Sequence, residues 1–249
     1  MPAAHETGAD LVWAVPNGAA VGVSAYQTLG YRLAESFELD APATIESIVV
    51  YAYQQGAIDG PSIDFLAIEI WSGQPGRPGS TRVAGDIARN ALSQADPTNA
   101  FAALHGVDFT TDRPIYALTA DDLHWSLDAG EYWLVWTMGG SLDGGPYSPY
   151  LGDDAQPVPG QAMQRVLGAW RPARNQTEGG VQVALPFEVY GSTACPADCD
   201  GDGTLTIFDF LCFQNAFAEG DMQADCNGDG AITADDFACF QNAFMAGCG

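Results

Sequence analysis

Lysine is absent from this chain of 249 residues, whose eight arginines face 32 acids for a formal charge of −24. So large a deficit of positive charge repels phosphate backbones, which makes nucleic acid and anionic membrane surfaces poor candidate partners and cations better ones. Long apolar runs are missing as well. None approaches the roughly 18 residues a spanning helix requires, so no membrane insertion is expected. The opening Met1-Pro-Ala-Ala-His5 lacks the basic and apolar regions of a secretion signal and reads as a mature or recombinant form. Catalytic signatures are also scarce. No Gly-x-Ser-x-Gly elbow, phosphate loop or His-Glu-x-x-His occurs, and His5, His105 and His124 lie without ligand spacing. Asp121 and Asp122 would serve as a glycosidase pair only with carboxylates flanking one bond, a separation that sequence does not give, and in so acidic a chain they are read as surface acids. No catalytic residue is assigned, and a non-enzyme is expected.

What is present is a folding chain, 47% apolar and 11% aromatic. All six cysteines, Cys195, Cys199, Cys212, Cys226, Cys239 and Cys248, fall in the last 55 residues. An even number in so short a segment indicates disulfides and an extracellular setting. Charge divides at the same point: residues 1–194 hold 22 acids and all eight arginines, and residues 195–249 hold ten acids and no base. Two domains are expected, 1–191 and 195–249.

The C-terminal segment is an internal repeat. Asp198–Phe217 and Asp225–Phe244 match at 14 of 20 positions with an offset of 27 residues. Each copy opens with oxygen donors at loop positions 1, 3 and 5, glycine at 6, threonine at 9 and aspartate at 12, the spacing of a calcium loop. Calcium wants about six to eight oxygens, and glycine after position 5 permits the bend that points alternate side chains inward. The first loop therefore offers Asp198, Asp200, Asp202 and Asp209, with the Thr204 carbonyl and a water held by Thr206. The second offers Asp225, Asn227, Asp229 and Asp236, with the Ala231 carbonyl and Thr233. Unneutralised, these carboxylates repel one another, so metal binding is expected to be part of folding. After each loop a helix of about three turns carries Phe210, Phe213 and Phe217, or Phe237, Phe240 and Phe244, on one stripe. Neither stripe is buried alone, so the copies should pack about a pseudo-twofold axis.

On the helical wheel Cys212 lies near the flank of Asp209, which makes a bond to Cys199 reasonable, with Cys226–Cys239 as its twin and Cys195–Cys248 as a clasp. Zinc is the competing reading, disfavoured because the segment has no Cys-x-x-Cys pair and no histidine.

This segment resembles a dockerin, the paired loop-helix module that anchors secreted bacterial proteins to cohesin domains. Aspartate rather than glutamate at loop position 12 is part of that likeness, and the Gly247-Cys248 ending is similar to GC-type dockerin-anchored proteins. The resemblance implies two calcium ions and a cohesin-meeting surface at loop positions 10 and 11 and the helix face beyond. Those residues are Ile207, Phe208, Leu211, Gln214 and Asn215 in the first copy, and Ala234, Asp235, Gln241 and Asn242 in the second. The first patch is apolar and the second polar, which argues for one preferred docking orientation. The alternative is that Phe208 tucks under the neighbouring domain.

Residues 1–191 read as strands punctuated by glycine and proline: Leu11–Val15, Tyr31–Leu39, Thr44–Tyr53, Phe65–Trp71, Ala102–Phe109, Glu131–Thr137 and Val181–Tyr190. An antiparallel β-sandwich follows, giving a mainly β protein with a small helical module. The stretches SFELDAPATIESIVVYAY, FLAIEIWSGQPGRPGS and AGEYWLVWT resemble an uncharacterised jelly-roll-like domain of secreted bacterial proteins. Tyr51, Tyr53 and Trp71 could form a partly exposed aromatic surface for a polysaccharide, although buried aromatics are commoner in two-layer sandwiches. The loop Met138–Asp154, with Asp143, Tyr147, Tyr150, Asp153 and Asp154, is read as a solvated connection or a further structural calcium site. The short link Gly191-Ser192-Thr193-Ala194 allows a hinged or a packed arrangement.

Three functions are carried forward. The first is a secreted, non-catalytic sandwich on a calcium-dependent anchor, attached to a surface through a cohesin-like partner. The second makes the sandwich glycan-binding or glycan-cleaving. The third makes the anchor a joint between copies of this chain in a filament or surface layer.

Overall fold

The computed structural model describes residues 10–14, 22–57, 59–102, 112–151, 158–175, 180–193, 195–201 and 204–247. The chain divides into two compact units, Met1–Ser192 and Thr193–Gly249. Fourteen strands build the first among its described residues. They are β1 (Asp10–Ala14), β2 (Gly22–Ser24), β3 (Arg32–Leu39), β4 (Ala43–Ala52), β5 (Ile63–Ser72), β6 (Thr81–Gly85) and β7 (Gln94–Phe101). They continue with β8 (Pro114–Ala120), β9 (Trp125–Leu127), β10 (Gly130–Gly140), β11 (Tyr147–Pro149), β12 (Met163–Val166), β13 (Ala169–Pro172) and β14 (Phe187–Thr193).

One sheet runs β1-β14-β4-β8-β7 with β9 paired to β4, and the other runs β13-β12-β3-β10-β5-β6. Taken alone in chain order, the eight strands β1, β3, β4, β5, β6, β8, β10 and β14 alternate between sheets except at the β5–β6 hairpin, giving the sheet orders β1-β14-β4-β8 and β3-β10-β5-β6. This is jelly-roll topology, extended by β7 on one sheet and the β12–β13 hairpin on the other.

Period-2 alternation sends one side of each strand into the space between the sheets. Leu66, Ile68 and Ile70 of β5 and Leu134, Trp136 and Met138 of β10 meet Ile48, Val50, Leu118, Phe187 and Val189 of the opposite sheet. The Phe187 ring lies 6.3 Å from Trp136 and 6.0 Å from Phe37. At about 25 cal/mol per Å2 of apolar area, this interlayer burial is the main stabilising term of the unit. One acid enters it: Glu35 of β3 is 4% exposed and accepts hydrogen bonds from the backbone N–H groups of Leu185 and Ser36, both at 3.1 Å. Burial pushes its carboxyl up to about 7, against the opposing pull of the Leu185, Ser36 and Gln161 N–H groups.

The partly exposed tyrosine surface is corrected. Tyr51 and Tyr53 are buried in a second apolar cluster on the outer face of the β1-β14-β4-β8 sheet. Ala100, Ala102 and Tyr147 pack against that cluster, Tyr147 from a short ribbon of β11 paired with β2 that bridges Tyr53. Tyr147 of the ribbon stacks on Tyr53 at 5.5 Å, and the Tyr53 hydroxyl accepts from the Gly22 N–H at 2.8 Å. Tyr51 donates to Glu188 Oε1 at 2.7 Å and Tyr190 to Oε2 at 2.5 Å, so this buried carboxylate is satisfied on both oxygens.

The solvated loop Met138–Asp154 is corrected as well. Met138 belongs to β10, Tyr147 lies in the ribbon, and Tyr150 is fully buried, while Asp143 is exposed. Asp153 and Asp154 lie outside the described residues, as does Ala102–Phe109 beyond Ala102. In the Val181–Tyr190 run only Phe187 onward is strand; Gln182 and Val183 make isolated bridges. The expected link is partly strand too, since β14 continues through Gly191 to Thr193. A Cβ at Gly191 would stand 2.1 Å from the Thr44 carbonyl oxygen, so only glycine lets β14 lie this close to β4.

The second unit contains α1 (Ile207–Glu219) and α2 (Ala234–Ala246). Each starts with the same capping box: Thr206 and Thr233 accept from the N–H two residues on, while Asp209 and Asp236 reach back to the threonine N–H. The six phenylalanines form the expected core. Phe213 and its repeat-mate Phe240 stack at 4.1 Å with planes 12° apart. The pairs Phe210–Phe244 at 6.4 Å and Phe217–Phe237 at 5.9 Å exchange under the 27-residue offset. The two copies are thus related by a pseudo-twofold axis through the central stack, with the helices antiparallel.

Candidate functional site

The chemistry of the second unit gathers where each loop meets its helix. In the first copy Asp198 and Asp200 come from the loop and Asp209 from the first turn of α1. One oxygen from each lies within 4.8 Å of those of the other two. Asp209 is fully buried and accepts from the N–H groups of Thr206 at 2.7 Å and Asp200 at 3.3 Å. Asp198 accepts from the Gly201 N–H at 3.0 Å. Asp202 lies outside the described residues.

The second copy repeats the pattern of backbone N–H groups bonded to carboxylates, while among the described residues the three-carboxylate convergence is seen in the first copy. Asp236 is buried and accepts from Thr233 N–H at 2.7 Å and Asn227 N–H at 3.3 Å. Asp225 takes the N–H groups of Gly230 at 2.8 Å and Asp229 at 3.1 Å, and Asp229 takes that of Ala231 at 2.9 Å. Each loop is therefore curled around its own carboxylates.

The electrostatics keep these carboxylates charged. Burial raises the Asp209 carboxyl, but the N–H groups of Thr206, Asp200 and Cys199 outweigh it and hold it below the usual range. The Thr233 N–H does the same for Asp236, against burial and with help from Asn227. Both stay ionised at neutral pH in a unit without lysine, arginine or histidine. The donor set is carboxylate, amide and backbone oxygen, which suits a hard cation such as calcium.

Sulfur is not available. The structure joins Cys199 to Cys212 and Cys226 to Cys239, each bond spanning 13 residues. Cys195 is also disulfide-bonded, and no described cysteine is free. Zinc by thiolate ligation is thereby excluded for these cysteines. Each intra-copy bond fastens loop position 2 to the second turn of its helix, which keeps the loop carboxylates beside the position-12 aspartate. Closing a ring of this size contributes about 3 kcal/mol in the chain-entropy account.

Thr206 and Thr233 hold a role that the loop spacing left unread. Their hydroxyls accept from Phe208 N–H at 3.1 Å and Asp235 N–H at 3.2 Å, so they cap the helices. The Thr-x-x-Asp pattern was the available signal. One residue thus links both tasks: the aspartate that faces the loop also closes the capping box.

The suggested partner surface is exposed. Ile207, Phe208 and Leu211 are 63%, 66% and 47% accessible. Gln214, Asn215, Ala234, Asp235, Gln241 and Asn242 are exposed as well. Because Phe210 meets Phe244, the start of α1 lies beside the end of α2. Met245, 79% exposed, is therefore at the same end of the module as Ile207 and Phe208. The opposite end carries Ala234, Asp235 and Ala218 at the equivalent positions.

In the first unit Asp121 and Asp122 make separate contacts. Asp121 Oδ2 accepts from Ser93 Oγ at 2.9 Å, while exposed Asp122 pairs with His124 at 2.8 Å. His5 and His105 lie outside the described residues.

Two capped helices behind oxygen-rich loops, related by a twofold and braced by disulfides, define a paired loop-helix module. Residues 196–245 match the family model of the dockerin type I domain. Domains of this family bind calcium and dock on cohesins, and proteins carrying them are generally extracellular, a setting the disulfides fit. No curated protein matches the chain. No helix among the described residues is long and apolar enough to cross a membrane.

Proposed function

We propose that the protein is a non-catalytic extracellular cargo, a jelly-roll sandwich held on a cohesin-like partner by its C-terminal unit when each loop holds one calcium ion. The observation that carries this reading is the convergence of Asp198, Asp200 and Asp209 within 4.8 Å in a unit devoid of basic residues. Calcium neutralises the loops, the loops fix the capping aspartates, and the helices present a preformed surface. Ile207, Phe208, Leu211 and Met245 give that surface one apolar end. A partner accordingly binds in one of the two orientations that the pseudo-twofold axis offers.

The test is titration of the full chain against a panel of purified cohesin domains in calcium and in chelator. Binding by at least one, lost in chelator and lost in Phe208→Asp but kept in Asp235→Ala, is the expected result. Binding that survives chelation, or is indifferent to Phe208→Asp, overturns the reading. Sedimentation velocity without cohesin addresses the filament alternative, in which calcium alone drives assembly.

A further inference from the structure

We propose that the cleft on the outer face of the β13-β12-β3-β10-β5-β6 sheet binds a neutral polysaccharide. The proposal concerns the first unit and stands independently of docking by the second.

The cleft encloses about 510 Å3, within the roughly 300 to 1,000 Å3 of small-ligand sites. Its floor is Trp133 of β10 and its far wall is Trp170 of β13, with Met163 between them on β12. The rim is polar: Gln74 and Arg77 from the β5–β6 connection, and Gln161 and Gln182 from the segments flanking the β12–β13 hairpin.

The walls are held in place before any ligand arrives. In the β5–β6 connection Arg77 N–H donates to the Gln74 carbonyl at 3.1 Å, and Ser80 Oγ to the Arg77 carbonyl at 2.8 Å. Arg77 Nε also donates to Gln74 Oε1 at 3.4 Å, which aims both side chains together. Gly76, at φ +85°, lies against Trp170, where a Cβ would approach the ring to 2.7 Å. Across the cleft, Gln182 Nε2 is anchored on the Ala162 carbonyl at 3.0 Å.

The lining selects the ligand. In a chain of 32 acids no carboxylate among the described residues lines this cleft, and its one charged group there is a guanidinium, which disfavours a cation. A polyanion is repelled by the net charge of −24. What remains is an uncharged molecule with apolar faces and many hydroxyls. Indoles offer flat apolar surface, and glutamine amides both donate and accept, as hydroxyl recognition demands. A pyranose chain has this pattern of C–H faces and hydroxyl edges. The same lining separates binding from cleavage, because glycoside hydrolysis needs two carboxylates across the scissile bond.

The test is affinity electrophoresis of the full chain in gels containing xylan, glucomannan, mixed-linkage β-glucan or pullulan, with polygalacturonate as the charged comparison. At least one neutral polymer should retard the protein, in chelator as well as in calcium, because no carboxylate among the described residues lines the cleft. Trp170→Ala should weaken that retardation tenfold or more, equivalent to about 1.4 kcal/mol. Exposed Gln161 can be changed to alanine without disturbing the core, so a several-fold loss in Gln161→Ala reads the cleft even where Trp170→Ala misfolds. Retardation by no neutral polymer, by polygalacturonate alone, or equally in both variants overturns the proposal. Retention in chelator by a protein that no cohesin captures would leave this site standing while the docking reading fell.

Discussion

Glu35 gives the first unit a pH dependence of calculable sign. It lies on the inward side of β3 at 4% exposure, and burial lifts its carboxyl from an ordinary 4.5 to about 7. Below pH 4.5 folded and unfolded chains both hold the proton, and the contribution to stability is complete. As pH rises, the unfolded chain releases its proton first, so stability falls until the folded group ionises near 7 and is level above it. At about 1.4 kcal/mol per pH unit the loss is on the order of 3 kcal/mol. Glu35→Gln removes the titration while keeping a polar group against the Leu185 N–H, at a constant cost that does not vary with pH. The assay is urea unfolding across this range, followed by tryptophan fluorescence. All six tryptophans precede residue 193, so the second unit, whose depressed carboxyls Asp209 and Asp236 respond to acid with the opposite sign, is silent. Wild type should lose stability from pH 4.5 to 7 relative to Glu35→Gln. Parallel curves for the two proteins would refute the assignment.

Other perturbations test the remaining links. Phe213→Ala empties the centre of the helix-pair core, where the ring is 1% exposed and stacked on Phe240, and should cost about 3 to 5 kcal/mol by far-ultraviolet circular dichroism melts. Thr206→Ala should cost about 1 kcal/mol through the lost cap. Asp209→Asn should abolish one of two calcium-binding events in isothermal titration and leave the other, since Asp236 serves the second loop alone. Gly191→Ala should destabilise the first unit by more than the few tenths typical of surface changes, because the new methyl collides with the Thr44 carbonyl. Fluorescence-detected unfolding measures that shift.

The second unit was nearly legible in the sequence because its chemistry is local. The loop donors lie within twelve positions of one another, and the phenylalanine stripe follows from helix period alone. The strands β3, β4, β5 and β10 were readable from alternation. β7 was not: it contains Pro97 and Asn99 at φ 59°, and its register with β8 breaks between Pro97 and Phe101. Such a residue is tolerated because β7 is an edge strand. Alternation also told that Tyr51 and Tyr53 oppose Val50 and Ala52, but not that Ala100, Ala102 and Tyr147 would pack against them. The cleft was illegible for a related reason. Gln74, Trp133, Trp170 and Gln182 are neighbours only after long-range pairing of β3, β5, β10 and β12, and no spacing records that.

The placement of β14 has a mechanical consequence. It is the last strand before the second unit, yet it lies between β1 and β4, with ladders on both sides. Tension arriving along the chain from an anchored C-terminus therefore has to slide an interior strand against two neighbours at once, rather than unzip a border strand bond by bond. Single-molecule pulling from the C-terminal end should register one abrupt, high-force rupture for the sandwich, and a gradual peeling trace would contradict this route of load.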